Sequence, residues 1–371
     1  MRALLLGFIC CFGWALLTIA AAAAERKPST KRLIEFGWDE PDPAFMRQHI
    51  AEMERTPFNG CVFHLTYTKP DGSSGNFTWE CWGKRAFTAA ELKPALDDLK
   101  ATPLRRFTHN FLRFNTTPGD VDWFDDFSAV LSNARLAARI ARAGKCRGIL
   151  FDIEQYNSPL FDYRRQRDVA KRSWDEYAAQ ARRRGRETMA AFQQGFPGLT
   201  VFLTFGYSLP WAQSQGGREQ LAECHYGLLA PFLDGMVEAA KGHTRLVDGY
   251  ELSYGYKDPA RFPAAYQTMR EGLLPIVADP KKYHRVLSIG FGVWMDEDWR
   301  RKGWDTEDLT KNYYSPAEFE ASVRRGLEVS DEYVWVYTEM PRWWSAEGAS
   351  VKLPPSYDAA LRRARQGLAP D

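Results

Sequence analysis

Residues 148–157 read GILFDIEQYN: a glycine and an apolar run, closed by two carboxylates one residue apart. Runs of this kind recur about every forty residues, which leaves room for a crossover helix between them and indicates parallel pairing. The predicted strands are 32–38, 60–67, 106–114, 148–153, 200–205, 249–254, 285–293 and 333–338. Eight such units predict an α/β fold, a single (β/α)8 TIM barrel.

Helical signals lie between these runs. Thr88 with Glu91 and Ser315 with Glu318 match the capping box, and residues 122–143 carry apolar side chains at helical spacing. An open doubly wound sheet is the alternative architecture, but it needs a glycine-rich phosphate turn after its first strand. The sequence there is FGWDE, and no linker divides the chain. We therefore expect one barrel domain over residues 25–371.

The composition suits a large folded core and a neutral partner. Of 371 residues, 45% are hydrophobic, which excludes disordered, collagen-like and small disulfide-stapled proteins. With 49 Lys and Arg against 47 Asp and Glu, the net charge of +2 offers no field that would attract nucleic acid or anionic membrane. No tight spacing of metal ligands occurs. We expect a monomer with no nucleic-acid partner, no metal and no cofactor.

The N-terminus is typical of a secretory signal peptide. Met1 and Arg2 precede an apolar stretch over 3–19 and small residues over 20–24, which predicts cleavage before Glu25. A membrane anchor is the alternative, but the apolar core is short for a bilayer span and no basic cluster follows it. The sequence thus predicts a secreted or periplasmic protein that is free of the membrane after cleavage.

Four cysteines follow the predicted signal peptide, and two interpretations of them are compatible with the sequence. An exported protein lies in a compartment where disulfides persist, so one or two disulfides are compatible with the sequence. Buried free thiols are the other reading, and spacing selects no pairing. The cysteines concerned are Cys61, Cys81, Cys146 and Cys224.

Two acids close the fourth predicted strand. Functional groups of a parallel barrel collect at the C-terminal strand ends, and alternation directs Asp152 and Glu154 to the same side, about 7 Å apart along the backbone. Both cannot easily ionise in a desolvated cleft, so one pKa rises, as protonation of a glycosidic oxygen requires. The alternative is a structural pair of carboxylates held by Arg113 or Arg147.

The run GILFDIE resembles the fourth-strand signature of family 18 chitinases, in which Asp-x-Glu closes the strand. The resemblance implies a glycosidase barrel in which Glu154 is the general acid and Asp152 holds the substrate's acetamido group as internal nucleophile. It also implies a tyrosine on the sixth strand, for which the candidates are Tyr250, Tyr254 and Tyr256. Leu150 stands where that family usually has a further acid, so a carbohydrate-binding barrel without catalysis is the alternative.

Other acids at strand ends could complete a conventional glycosidase. A retaining enzyme needs a second carboxylate about 5 Å from the acid, and an inverting one about 6.5–9.5 Å away. Glu339 is the strongest candidate, because it follows an uncharged eighth strand, and Glu251 or Asp296 could serve instead. The predicted catalytic residues are Glu154, Asp152 and Glu339.

Aromatic side chains are abundant, with 13 Trp, 16 Tyr and 23 Phe, and many fall at predicted strand ends. Flat rings stack on the apolar faces of sugars, whereas polar neighbours bind the hydroxyls. The predicted substrate-binding residues are Trp38, Asp39, His64, His109, Asn110, Tyr156, Tyr207, Glu251, Tyr254, Trp294, Trp335 and Trp343. Further tryptophans at strand ends are Trp79, Trp82, Trp211, Trp299, Trp304 and Trp344. Together these features predict an exported glycoside hydrolase acting on a polysaccharide or glycan.

Overall fold

The computed structural model describes residues 30–344, 351–366 and 368, so the predicted signal peptide lies outside the described residues. Nine parallel strand segments make the main sheet of this part of the chain. They are Arg32–Glu35, Gly60–Phe63, Phe111–Asn115, Gly148–Asp152, Thr200–Leu203, Arg245–Asp248, Leu287–Ile289, Phe291–Trp294 and Tyr333–Tyr337.

The seventh barrel strand consists of two of these segments, interrupted at Gly290. Leu287–Ile289 pairs with the sixth strand, Phe291–Trp294 pairs with the eighth, and the eighth pairs with the first. The eight strands therefore form a nearly closed ring in chain order. The predicted (β/α)8 TIM barrel is confirmed.

The prediction of the sixth strand is wrong. The strand is Arg245–Asp248, and residues 249–254 form the loop after it, with the 3-10 turn Glu251–Ser253. Tyr250 has φ of 45°, in the left-handed region that a strand excludes. The aromatic residues that suggested a strand therefore lie in a loop at the C-terminal end of the barrel.

Two further strand predictions need adjustment. The second strand ends at Phe63, and Thr66–Thr68 pairs instead with Ser74–Asn76 in a separate antiparallel hairpin. The third strand begins at Phe111, five residues later than predicted. Just before it, the Asn110 side chain takes the place of a backbone partner, since it accepts the Cys61 N–H and donates to the Phe107 carbonyl.

Large apolar side chains fill the barrel. The interior cluster contains Ile34, Phe36, Val62, Phe111, Leu150, Phe202, Val247, Tyr333 and Trp335. Gly148 begins the fourth strand, where a Cβ atom would lie 1.8 Å from the carbonyl oxygen of Thr200, so the strand needs glycine at that point. Leu150 is packed inside the barrel, and Asp152, the next residue on the same side, brings the first carboxylate of this strand to the mouth.

Helices surround the strands and bury a second, larger apolar cluster against them. The α-helices of the described residues are Pro43–Met53, Lys93–Ala101, Ser128–Ala143, Trp174–Gly195, Ser208–Gln213, Leu229–Ala239, Arg261–Gln267, Pro280–Val286, Trp299–Lys302, Pro316–Val329 and Pro355–Arg365. Among them, none is both long enough and apolar enough to cross a bilayer.

Both predicted capping boxes form, although in one of them the helix begins later than the capping box predicts. Ser315 and Glu318 exchange hydrogen bonds at the start of Pro316–Val329. Thr88 and Glu91 also bond reciprocally, but the helix itself begins later, at Lys93.

The four cysteines of the described chain are buried free thiols, not disulfides. This outcome agrees with the second of the two readings of the sequence.

Candidate active site

Asp152 is the last residue of the fourth strand and is completely buried. Its Oδ2 accepts hydrogen bonds from Arg113 Nη2 at 2.6 Å, Arg113 Nε at 3.1 Å and the Tyr156 hydroxyl at 3.0 Å. Its Oδ1 accepts the backbone N–H of Glu154 at 3.2 Å. Both oxygens of Asp152 are therefore engaged by the protein.

Arg113 connects two buried carboxylates. It lies on the third strand, its Nη1 donates to Glu40 Oε2 at 2.7 Å, and its guanidinium packs over the rings of Phe36 and Trp79. Burial by itself would raise the pKa of Glu40, but the charges of Arg113 and the neighbouring His64 bring it below its usual value. Arg113 thus holds the loop after the first strand and the end of the fourth strand together.

Glu154 extends beyond the strand into the mouth of the barrel. Its carbonyl accepts the Thr116 hydroxyl at 2.7 Å, which fixes the backbone, and its side chain is partly exposed. Burial, followed by the charge of Asp152, raises the pKa of Glu154 to about 8, although the nearby Tyr156 hydroxyl and the charge of Arg113 oppose the shift. A carboxyl group whose pKa is raised in this way keeps its proton to higher pH and can act as an acid.

Glu251 is the second perturbed carboxyl at this mouth. Burial, followed by the charges of Glu154 and Asp152, raises its pKa well above the usual range. Its Oε2 is buried without a hydrogen-bond partner. The loop is held by hydrogen bonds from the Glu251 N–H to the Thr204 carbonyl and from the Tyr250 N–H to Asp248 Oδ1. The charge of Glu154 therefore acts on Glu251, which lies on the loop after the sixth strand, two strands along the ring.

The other two proposed partners of Glu154 are committed to structural bonds. Glu339 accepts two hydrogen bonds from Arg300, at 2.7 and 2.5 Å, and one from Trp299 Nε1 at 2.7 Å. Asp296 accepts the backbone N–H groups of Glu339 and Met340 at 3.0 and 2.7 Å. These carboxylates join the loops after the seventh and eighth strands. Of the three acids considered as partners, Glu251 is the one with an unpartnered oxygen.

Aromatic rings stand beside the two acids. Tyr254 stacks on Tyr337 with ring centroids 5.6 Å apart, and Trp294 meets both rings edge-on. After burial, the charges of Glu251 and, more weakly, Glu154 are among the causes that raise the pKa of Tyr254. The three rings form an apolar wall next to the carboxyl pair.

The large apolar side chains that are exposed in the described residues share one location. They follow the first, second, fourth and sixth strands, on the loops at the mouth. They are Trp38, Trp79, Tyr156 and Leu252, with exposed fractions of 59%, 37%, 42% and 40%. Trp79 and Tyr156 meet at 5.0 Å between ring centroids. Exposed apolar surface is thus concentrated at the end of the barrel that carries Glu154.

Two predicted substrate-binding residues lie at the opposite end of the barrel. His109 and Asn110 precede the third strand, where His109 lies 3.6 Å from Glu332 and the Asn110 amide bonds to the Phe107 carbonyl. The predicted third strand began five residues too early, and that error assigned His109 and Asn110 to the C-terminal end of the barrel. The structure does not bring them to Glu154.

Other predicted binding residues are part of the core. Tyr207 donates to Asp234 at 2.9 Å, and Trp335 fills the barrel interior. Trp343 packs edge-on against Phe58. Asp39 is buried and accepts the backbone N–H of Trp343. Trp82 and Trp344 are buried as well, so these strand-end aromatics are not available to a ligand.

Sequence reasoning did not identify two contributors to the site. Sequence reasoning named Arg113 only as a structural partner of the carboxylates, and it did not name Tyr337. The signal for Arg113 is its charge in the otherwise uncharged strand Phe111–Asn115. The signal for Tyr337 is its place at the end of the eighth strand. Among the described residues there is no group of three or more His, Cys, Asp or Glu side chains able to hold a metal ion.

Comparisons with known proteins give structural likeness only. No family model matches the chain, and no curated protein sequence matches it. A GH5_18 protein from Streptomyces cattleya, solved with GlcNAc, aligns with a TM-score of 0.46 and 11% identity over 93% of this chain and 83% of that one. A thermostable xylanase mutant, Xyn10A from Cellvibrio japonicus, aligns with a TM-score of 0.44 and 11% identity over 90% and 97%. A broad-specificity GH5-4 endoglucanase from Bacteroides salanitronis aligns with a TM-score of 0.42 and 10% identity over 88% and 85%.

Proposed function

We propose that this protein is a glycoside hydrolase that cleaves a polysaccharide or glycan, with Glu154 as general acid and base. The supporting observation is a half-buried carboxyl group at the barrel mouth whose pKa is raised to about 8, beside a second perturbed carboxyl, Glu251. Glycosidic cleavage needs a carboxylic acid that is still protonated at working pH and a second carboxylate nearby. In this proposal Glu154 is the acid, and Glu251, on which the charge of Glu154 acts, is the second carboxyl group.

In this proposal, Asp152 acts by its charge. Its Oδ2 is occupied by Arg113 and Tyr156, and its Oδ1 accepts the Glu154 N–H, which favours a tuning role over direct contact with an acetamido group. The negative charge of Asp152 helps to keep the proton on Glu154. Asp152 is therefore a positioning residue.

Glu251 takes the role of nucleophile in a double displacement. Because the pKa of Glu251 is raised as well, the pair becomes productive once it has lost one of its two protons, in the state in which Glu154 keeps the remaining proton and Glu251 is ionised. Glu154 protonates the leaving oxygen as Glu251 attacks the anomeric carbon and forms a glycosyl ester. Glu154 then removes a proton from water, which attacks the anomeric carbon, releases the sugar and frees Glu251. Glu339 and Asp296 are less suited, because their oxygens accept several hydrogen bonds from the protein.

The proposal extends to location. With residues 1–24 as a cleaved signal peptide, the enzyme acts as a secreted or periplasmic monomer on carbohydrate outside the cytoplasm.

Hydrolysis of a panel of neutral polysaccharides, followed by reducing-end release, tests the assignment. Glu154→Gln is expected to lower kcat by a factor of about 10²–10⁴, the usual contribution of a general acid. Glu328→Gln makes the same chemical change on the outer helix Pro316–Val329 and serves as the matched control. Activity retained by Glu154→Gln would refute the acid assignment. Carbohydrate binding by the wild type without turnover would favour the binding-only alternative.

A further inference from the structure

We infer that the cavity beside Trp38 is a separate subsite for one neutral sugar unit, so that the substrate is an oligosaccharide or polysaccharide extending beyond the bond that is cleaved. The inference rests on the proposed function and deepens it, since it specifies the length of glycan that the same mouth recognises.

The cavity lies between the loops that follow the first two strands. It has a volume of about 330 Å³, and its lining includes Trp38, Glu40, Phe45, His64 and Arg342. Small-molecule sites usually span roughly 300–1,000 Å³. Its size therefore suits one small ring and not a long ligand.

Trp38 lines this cavity, and its backbone is held in place. Its side chain is 59% exposed, more than that of any other large apolar residue in the described part of the chain. The backbone N–H of Trp38 donates to the Thr338 carbonyl at 3.0 Å, and a Cβ atom on Gly37 would lie 2.6 Å from the same oxygen. The close approach of Gly37 fixes the turn. Trp38 thus projects an exposed ring from a fixed turn, as a platform for the apolar face of a sugar should.

The polar lining can bind hydroxyl groups and carries both signs of charge, from Asp39, Glu40 and Asp42 on one side and Arg342 on the other. Glu40 is neutralised by Arg113 at 2.7 Å and has His64 at 3.6 Å. Asp42 accepts the Phe45 N–H at 2.8 Å and the Thr66 hydroxyl at 3.0 Å. Asp39 and Glu40 each keep one oxygen without a hydrogen-bond partner, and a lining of mixed charge suits a neutral ring with several hydroxyls better than a charged one.

Glu40 also connects this cavity to the reaction centre. One of its oxygens bonds to Arg113, and the same guanidinium bonds to Asp152, the neighbour of Glu154. The cavity is thus linked through Arg113 to the strand end that carries Asp152 and Glu154, and in this proposal the chain of sugars extends from the cavity toward Glu154.

Binding measurements in a Glu154→Gln background separate recognition from turnover. The probes are cellohexaose, xylohexaose and hexa-N-acetylchitohexaose, each compared with its disaccharide by titration calorimetry. Trp38→Ala is expected to raise the Kd of the bound hexasaccharide about tenfold and to change that of the disaccharide less than twofold. Trp174→Ala removes a partly buried tryptophan from an outer helix and is the matched control.

The outcomes are distinguishable. An unchanged hexasaccharide Kd in folded Trp38→Ala, an equal loss for both lengths, or the absence of binding by all three probes would overturn the subsite. If the wild type hydrolyses none of the probes but Trp38→Ala still weakens hexasaccharide binding selectively, the subsite stands and the proposed function fails. If the wild type hydrolyses a glycan and Trp38→Ala has no effect, the proposed function stands without the subsite.

Discussion

Replacing Arg113 by Met removes a cation from between two buried carboxylates and keeps most of the aliphatic stem. The Arg113 side chain is 11% exposed, and its partners Glu40 and Asp152 are 10% and 1% exposed. Water therefore cannot readily solvate the two acids that lose their partner.

The expected cost is large for a single substitution. Removing one partner of a buried ion pair costs about 3–5 kcal/mol, because the remaining charge stays desolvated. Loss of the contacts with Phe36 and Trp79 contributes further. We expect Arg113→Met to lower the free energy of unfolding by about 3–5 kcal/mol at pH 7.

Urea denaturation followed by circular dichroism measures this difference. The matched control is Arg47→Met, whose ion pair with Asp98 has side chains 57% and 29% exposed. An exposed pair of this kind contributes less than about 1 kcal/mol. Both variants remove one arginine, so the contrast isolates the effect of burial.

The pH dependence gives a second readout. The pKa of Glu40 is lowered in the folded state, so its stabilisation is present above the ordinary value of 4.5 and is lost as pH falls through the folded-state value. The difference in the free energy of unfolding between Arg113→Met and the wild type should therefore become smaller at acidic pH. A gap below about 1 kcal/mol at pH 7 would refute the reasoning. So would a gap that did not change between pH 7 and pH 4.

Three further predictions concern titration and reactivity. Because Glu154 must be protonated to act as an acid, kcat/KM should fall about tenfold per pH unit above its pKa of about 8, and a pH–rate profile that stays flat to pH 10 would contradict this role. Complete burial raises the pKa of Glu35 well above its usual value. The stability of the folded protein should therefore decline as pH rises from the usual value of 4.5 toward the higher folded-state value. Glu35→Gln should have a higher melting temperature than the wild type at pH 9 but not at pH 5. Burial raises the pKa of Cys146 to about 12, so in the chain without residues 1–24 a thiol reagent at pH 8 should label Cys146 only after unfolding, and the same is expected of Cys61 and Cys81.

The barrel could be predicted from the sequence because its signals are local. An apolar run such as residues 148–151 and a capping box such as Ser315 with Glu318 depend on neighbours in the chain, and both appear in the structure. The sixth strand was misplaced because aromatic residues at 250–254 match strand composition, although the loop there contains a left-handed residue. Composition does not distinguish a buried strand from an aromatic loop at a barrel mouth.

The tryptophans show the same limit. All those at strand ends look alike in sequence, yet Trp38 is exposed and Trp343 is buried against Phe58. Their difference depends on which loop packs over each ring. Asp39, beside Trp38, accepts the backbone N–H of Trp343 from the far end of the chain, and no local pattern encodes that contact.

The sequence by itself determined the repeating strand and helix order and placed the carboxyl groups of Asp152 and Glu154 at a strand end, since both follow from side-chain periodicity. Only the tertiary structure decided which acids are free to act. Glu339 is paired with Arg300 and Asp152 with Arg113, whereas Glu251 retains an unpartnered oxygen near Glu154. The physical reason is that ionisation depends on burial and on the charges nearby, and in a barrel those neighbours come from strands distant in the chain.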